Sequence, residues 1–207
     1  MSSAIKNILQ QSRVIPVVVI DRIEDAVPLA TALVNGGLNV LEITLRTPVA
    51  IDAIKAMKQA LPNSIVGSGT VIDAATLQAS LDAGVDFIVS PGTNSELLEA
   101  AKQNSAPLLP GAATPSEVMN LLHHGFDTMK FFPAAAAGGV NMLKSIGGPL
   151  PQVTFCPTGG ISLANANEYL ALPNVACVGG TWMLDKELIK AQDWDGITQL
   201  AKQASQL

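Results

Sequence analysis

The sequence predicts an α/β fold, a single (β/α)8 TIM barrel over residues 1–207 with an N-terminal helix closing one end. Three observations carry this expectation. Short β-rich runs recur along the 207-residue chain with helical stretches between them; about eight such units match the small end of the barrel range; and no Ser/Gly-rich or low-complexity tract divides the chain into domains. An open doubly wound sheet is the competing architecture, but no Gly-x-Gly-x-x-Gly opens a helix after the first strand.

The elements follow in order. The first dozen residues, with Ile5, Ile8 and Leu9 apolar, are expected to form the closing helix. Strands are predicted at 14–20, 40–46, 65–70, 87–90, 107–110, 128–132, 153–158 and 175–178. Between them lie helix signals. Thr47-Pro48 reads as N-cap and first helical residue, followed by Ala50, Ala53, Ile54, Met57 and Leu61 on one face. Thr114-Pro115-Ser116-Glu117 has capping-box spacing around a proline, so the chain is expected to leave its strand near Leu109-Pro110.

Composition narrows the function classes. With 48% hydrophobic residues the chain can bury a sizeable core. A formal net charge of -5, with Arg13, Arg22 and Arg46 as its arginines, offers no basic stripe for nucleic acid or an anionic membrane. Every apolar run is far shorter than the ~20 residues of a membrane span, and the N-terminus lacks secretory features, so a cytoplasmic location is expected. Cys156 and Cys177 fall in predicted strands and read as small buried hydrophobes. Adjacent His123 and His124 diverge by about 100° on a helix and read as surface residues. The chain has no HExxH or CxxC, and no metal is expected.

Lys130 is the candidate that points to chemistry. It lies in the run Asp127-Thr128-Met129-Lys130-Phe131-Phe132-Pro133, where burial among apolar side chains disfavours the charged amine, and a neutral amine attacks carbonyls. The rival reading is a lysine that only pairs with a core carboxylate. Strand alternation places Glu42, Thr44 and Arg46 on one side, facing the barrel interior, and Leu41, Ile43 and Leu45 toward the helices. The same parity groups Ser68 with Thr70, Lys130 with Phe132, Thr154 with Cys156 and Thr158, and Cys177 with Gly179 and Thr181. Catalytic groups of barrels sit at the C-terminal ends of strands, where Arg46, Thr70, Phe132, Thr158 and Thr181 fall, with Glu42 and Lys130 deeper. A lysine nucleophile needs a proton-transfer partner, and Glu42 is the carboxylate that parity places inside. The guanidinium of Arg46 and hydroxyl of Thr70 suit a carboxylate, which suggests an α-keto acid. The pairs Gly159-Gly160 and Gly179-Gly180, with Thr181, follow the seventh and eighth strands, where barrels commonly bind phosphate. A phosphosugar isomerase or epimerase using Glu42 as base, and a phosphate-ligand binding barrel, stay open at this level.

Four motifs in order, Leu41-Glu42-Ile43-Thr44-Leu45-Arg46-Thr47, Gly67-Ser68-Gly69-Thr70, Lys130-Phe131-Phe132-Pro133-Ala134 and Cys156-Pro157-Thr158-Gly159-Gly160, resemble those of the 2-keto-3-deoxy-6-phosphogluconate (KHG/KDPG) aldolases over nearly the whole chain. The resemblance implies a cofactor-independent class I lyase of the Entner–Doudoroff route. It would cleave 2-keto-3-deoxy-6-phosphogluconate to pyruvate and glyceraldehyde 3-phosphate, and also 4-hydroxy-2-oxoglutarate. It further implies Lys130 as Schiff-base residue, Glu42 as proton-transfer residue, Arg46 and Thr70 on the pyruvate carboxylate, Phe132 lining the pocket, Thr158 influencing stereochemistry, and a homotrimer. The family often has serine where this chain has Thr181; both residues offer a hydroxyl.

Overall fold

A computed structural model describes residues 2–207. Strands and helices alternate. The strands are β1 (Val14–Val18), β2 (Val40–Thr44), β3 (Ile65–Gly69), β4 (Phe87–Val89), β5 (Leu108–Leu109), β6 (Gly111–Ala112), β7 (Thr128–Phe131), β8 (Thr154–Pro157) and β9 (Val178–Gly180). The helices are α1 (Ser2–Leu9), α2 (Ile23–Asn35), α3 (Ala50–Ala60), α4 (Ala74–Asp82), α5 (Ser95–Gln103), α6 (Pro115–His123), α7 (Gly139–Gly147), α8 (Ala166–Leu170), α9 (Lys186–Ala191) and α10 (Trp194–Ser205).

Every ladder is parallel, as strands separated by crossover helices must be. One sheet runs β5-β4-β3-β2-β1-β9 and a second β6-β7-β8. The strands curl: Ile15, Val40, Phe87, Val89 and Leu109 of one sheet and Cys156 of the other meet, with Cys177, in one buried cluster. Ile5 and Leu9 of α1 join that cluster, 1% and 0% exposed, while Ile8 packs at its edge. The outward residues Leu41 and Ile43 join the larger cluster beneath the helices, with Ala53, Ile54 and Met57 of α3.

Four expectations change at element boundaries. The fifth strand does not end at Pro110: the chain resumes pairing as β6, and Pro110 divides the two segments because proline has no N–H to give the ladder. Its carbonyl still accepts from Lys130 N–H at 2.9 Å. The eighth strand lies at Val178–Gly180 and overlaps the predicted 175–178 at one residue. Val175 bridges Phe155 and Gly179 bridges Thr158, so four steps on one side face three on the other, and the extra residue leaves 176–177 outside the ladder. Cys177 therefore precedes its strand, and Gly179-Gly180 lie within β9 beside Ile15 and Pro16, not in a loop. Thr47 does not cap α3, which starts at Ala50 after Val49; its hydroxyl donates to Ile20 O at 2.6 Å, and Leu61 lies just past the helix end. By contrast Thr114 and Glu117 close the expected capping box on α6, with Pro115 at its start.

Among the described residues no helix is long and apolar enough to cross a membrane.

Candidate active site

The site begins at the C-terminal ends of the strands. Thr70, Phe132, Thr158 and Thr181 are each the first residue past β3, β7, β8 and β9, and Arg46 is two past β2. Glu42 and Lys130 lie one layer lower, inside β2 and β7. They come from opposite sheets, yet Lys130 Nζ donates to Glu42 Oε1 at 3.0 Å and Oε2 at 3.3 Å, with both residues 4% exposed. Desolvating such a pair is costly, and each group supplies the other's hydrogen-bond partner. Phe132 stands beside it, its ring centroid 5.6 Å from Nζ. The pair satisfies both the catalytic reading and its rival, so chemistry must be argued from what surrounds it.

At the rim, Arg46 Nε donates to Thr70 Oγ1 at 3.3 Å. Arg46 is exposed and does not reach into the interior beside Glu42, because β2 ends at Thr44 and alternation ends with it. Thr70 arrives by a route parity does not describe. Gly67 and Gly69 face inward, against Phe87 and Glu42 respectively, so Ser68 points to the helix side, where its buried hydroxyl has no hydrogen-bond partner. The left-handed φ of 61° at Thr70 then turns its hydroxyl toward Arg46.

The other wall comes from β8 and β9. Thr158 is buried and Cys156 Sγ lies 4.0 Å from its Oγ1. Thr158 faces Gly179, whose missing Cβ makes room for its hydroxyl. Gly159 and Gly160 have φ of 99° and 75°, so that turn needs glycine, and Gly159 lies against Pro133 and Phe132. Gly180 leaves space for the Trp182 ring. Thr181 is exposed and, with Arg46, lines a cleft of about 590 Å³ between the β1–α2 turn and α9. Lys130 and Glu42 do not line it. Sequence reasoning missed this cleft and its Lys186 and Lys190; their i, i+4 spacing on α9 was the available signal.

Elsewhere, His123 and His124 meet edge to face at 5.6 Å, and His124 Nδ1 lies 3.0 Å from Lys102 Nζ. Cys156 and Cys177 are buried free thiols. A hydrogen bond with Cys156, then burial, push the Cys177 thiol well above its ordinary pKa, and the neighbouring Glu42 charge acts in the same direction.

The fold is a parallel α/β one, with a buried lysine–carboxylate pair beneath a rim of Arg and Thr at the C-terminal ends of the strands, the end where barrel enzymes carry their sites. The family model for KDPG and KHG aldolase matches residues 5–200. The chain belongs to that family of carbon–carbon lyases. It is 49% identical over 199 residues to the 2-dehydro-3-deoxy-phosphogluconate aldolase of Pseudoalteromonas atlantica, covering 96% of this chain and 93% of that one. The KHG/KDPG aldolase of Escherichia coli K12 gives the same identity and coverage. Among solved structures, the KDPG aldolase of Legionella pneumophila, with pyruvate captured as a covalent carbinolamine intermediate, superposes with a TM-score of 0.95 at 51% identity, over 97% of this chain and 98% of that one. The Zymomonas mobilis ZM4 aldolase with 3-phosphoglycerate gives 0.95 at 47%, over 99% and 96%.

Proposed function

We propose that the chain is a class I, Schiff-base aldolase that cleaves 2-keto-3-deoxy-6-phosphogluconate to pyruvate and glyceraldehyde 3-phosphate, and 4-hydroxy-2-oxoglutarate to pyruvate and glyoxylate. The observation that carries this reading is the family match over residues 5–200, in a chain whose Lys130 and Glu42 meet at 3.0 Å beneath the Arg46–Thr70 rim. Lys130 passes a proton to Glu42, its neutral Nζ adds to the C2 ketone, and Glu42 returns the proton to the carbinolamine hydroxyl, which leaves as water to give the iminium. Deprotonation of the C4 hydroxyl opens the C3–C4 bond, and its electron pair flows into the iminium to leave an enamine. Protonation at C3 and return of the water release pyruvate and the free lysine. The iminium is the electron sink, so the reaction needs no metal or organic cofactor.

In this reading Arg46 and Thr70 hold the pyruvate carboxylate, Phe132 lines the pocket, and Thr158 faces the substrate hydroxyl. Gly159, Gly160, Gly179, Gly180 and Thr181 take the phosphate; the exposed hydroxyl of Thr181 can donate as the family's serine does. We extend the proposal to the architecture. The two sheets form one closed (β/α)8 barrel, joined through Pro110 on one side and the Thr158–Gly179 bridge on the other, with α1 filling the end opposite the site, as a single domain over residues 1–207. On the family's pattern the protein is a cytoplasmic homotrimer. The pyruvate adduct in the Legionella enzyme and the phosphorylated ligand in the Zymomonas enzyme support the substrate assignment.

Incubation with pyruvate and borohydride tests the mechanism. A reduced pyruvyl adduct that maps to Lys130, and that Lys130→Ala abolishes, is the expected result. An unmodified mass overturns it in favour of an isomerase, an epimerase or a binding protein on the same scaffold.

A further inference from the structure

Beyond Ile65, which packs against the inner cluster, β3 gives the interior no side chain. Its remaining inward positions are Gly67 and Gly69, and neither has a left-handed φ, unlike Gly37, Gly84, Gly125, Gly138, Gly139, Gly159 and Gly160. Backbone conformation does not call for glycine at these two positions, so the reason lies in what fills the space. Over Gly67 it is the Phe87 ring, which a Cβ would meet at 2.5 to 2.6 Å. Over Gly69 it is Glu42: a Cβ would stand 2.8 Å from Cγ and 2.9 Å from Cδ, with Oε1 closer still. Thr44 is in register with Gly69 and Glu42 with Gly67, so the Glu42 side chain leans along its strand toward the C-terminal rim and rests on the bare backbone of β3.

We infer that Gly69 is a positioning residue for the Lys130–Glu42 couple: the missing side chain is the seat that holds the carboxylate against Nζ. The inference deepens the aldolase reading and rests on it. A methyl group at position 69 collides with Cγ and Cδ of the Glu42 side chain as well as with its terminal Oε1. The strand beneath is buried and paired on both edges, so the carboxylate is what moves. It then leaves hydrogen-bond distance of Nζ, where a misplacement of about 1 Å costs on the order of 100-fold in rate. Gly69 touches no reacting atom; its effect passes through Glu42.

The test is a double-mutant cycle read on pyruvate C3 proton–deuterium exchange and on thermal stability, using the full chain. Gly69→Ala is expected to slow exchange by on the order of 100-fold and to lower Tm. In a Glu42→Ala background, where the collision is absent, the same substitution is expected to change exchange by less than about twofold and to leave Tm in place. A purely structural role for Gly69 would lower Tm equally in both backgrounds, and that result overturns the inference; so does a Gly69→Ala protein that exchanges at the wild-type rate. If Gly69→Ala alone does not fold, recovery of folding in Gly69→Ala/Glu42→Ala supports the inference and continued failure overturns it. The borohydride adduct of the wild-type protein reports separately on the aldolase reading: without it that reading fails, while the Tm cycle still decides whether Gly69 seats Glu42.

Discussion

Breaking the Lys130–Glu42 pair from one side should destabilise the protein far more than replacing both partners. The two side chains are 6% and 5% exposed with N···O at 3.0 Å, so removing either leaves the other nearly buried without its counter-charge. Such a loss costs about 3–5 kcal/mol. For a chain of this size each kcal/mol moves Tm by about 2–4 °C, so Lys130→Met or Glu42→Leu alone should lower Tm by about 6–20 °C. The double variant Lys130→Met/Glu42→Leu buries two apolar chains of similar volume, and a buried pair rarely outperforms such a replacement, so its stability should return to within about 2 kcal/mol of wild type. Urea unfolding at one fixed protein concentration, with melts alongside, measures all four proteins, and every variant should lose aldol cleavage. Single variants that each cost under about 1 kcal/mol, or a double variant that costs the sum of the singles, would refute the account of a desolvated, mutually dependent pair.

Arg46→Lys should keep the charge and lose the planar fork beside Thr70, raising KM for the keto acid by about 10-fold or more while kcat changes less; an unchanged KM in steady-state assays would remove Arg46 from carboxylate binding. Hydrogen bonds from Ala113 N–H, and then from Thr114, hold the Glu117 carboxyl below its usual range against an opposing desolvation, so its contribution to α6 is present above the unfolded pKa and lost as pH falls through the lower folded one. Thr114→Ala should therefore cost about 1 kcal/mol at neutral pH, and Glu117→Gln should cost less at acidic than at neutral pH, both by urea unfolding. The Cys177 thiol, raised by its bond with Cys156 and by burial, should resist iodoacetamide in the native protein at about pH 8 and react once the chain is unfolded; peptide mapping of the alkylated cysteine checks this.

What could be read in the chain divides by the range of the interaction. Thr114, Pro115 and Glu117 announce the start of α6 because a cap satisfies hydrogen bonds within four residues. Alternation in β2 correctly turns Glu42 inward and Leu41 and Ile43 outward, since pleating is a property of the strand itself. The same rule fails at Ser68 and Thr70, where the left-handed φ at Thr70 ends the pleat, and at Arg46, which lies past its strand. At β9 the alternation holds, with Cys177 and Gly179 inward and Val178 outward, but the strand's bounds do not follow from it, because they depend on pairing with β1 and on the bridge from Gly179 to Thr158. Thr47 has the look of an N-cap, yet its hydroxyl is taken by Ile20 O, 27 residues away.

The amino-acid sequence alone determined the parallel α/β class, the order of its elements, and the residue types able to form an imine and move a proton. Only the tertiary structure decided that Lys130 and Glu42, 88 residues apart, share hydrogen bonds, that Arg46 stays at the rim, and that a bare stretch of β3 seats the carboxylate. Periodicity and capping are settled by a residue's near neighbours in the chain. Distances between side chains on different strands are settled by how curled strands pack, and that depends on every residue that fills the interior.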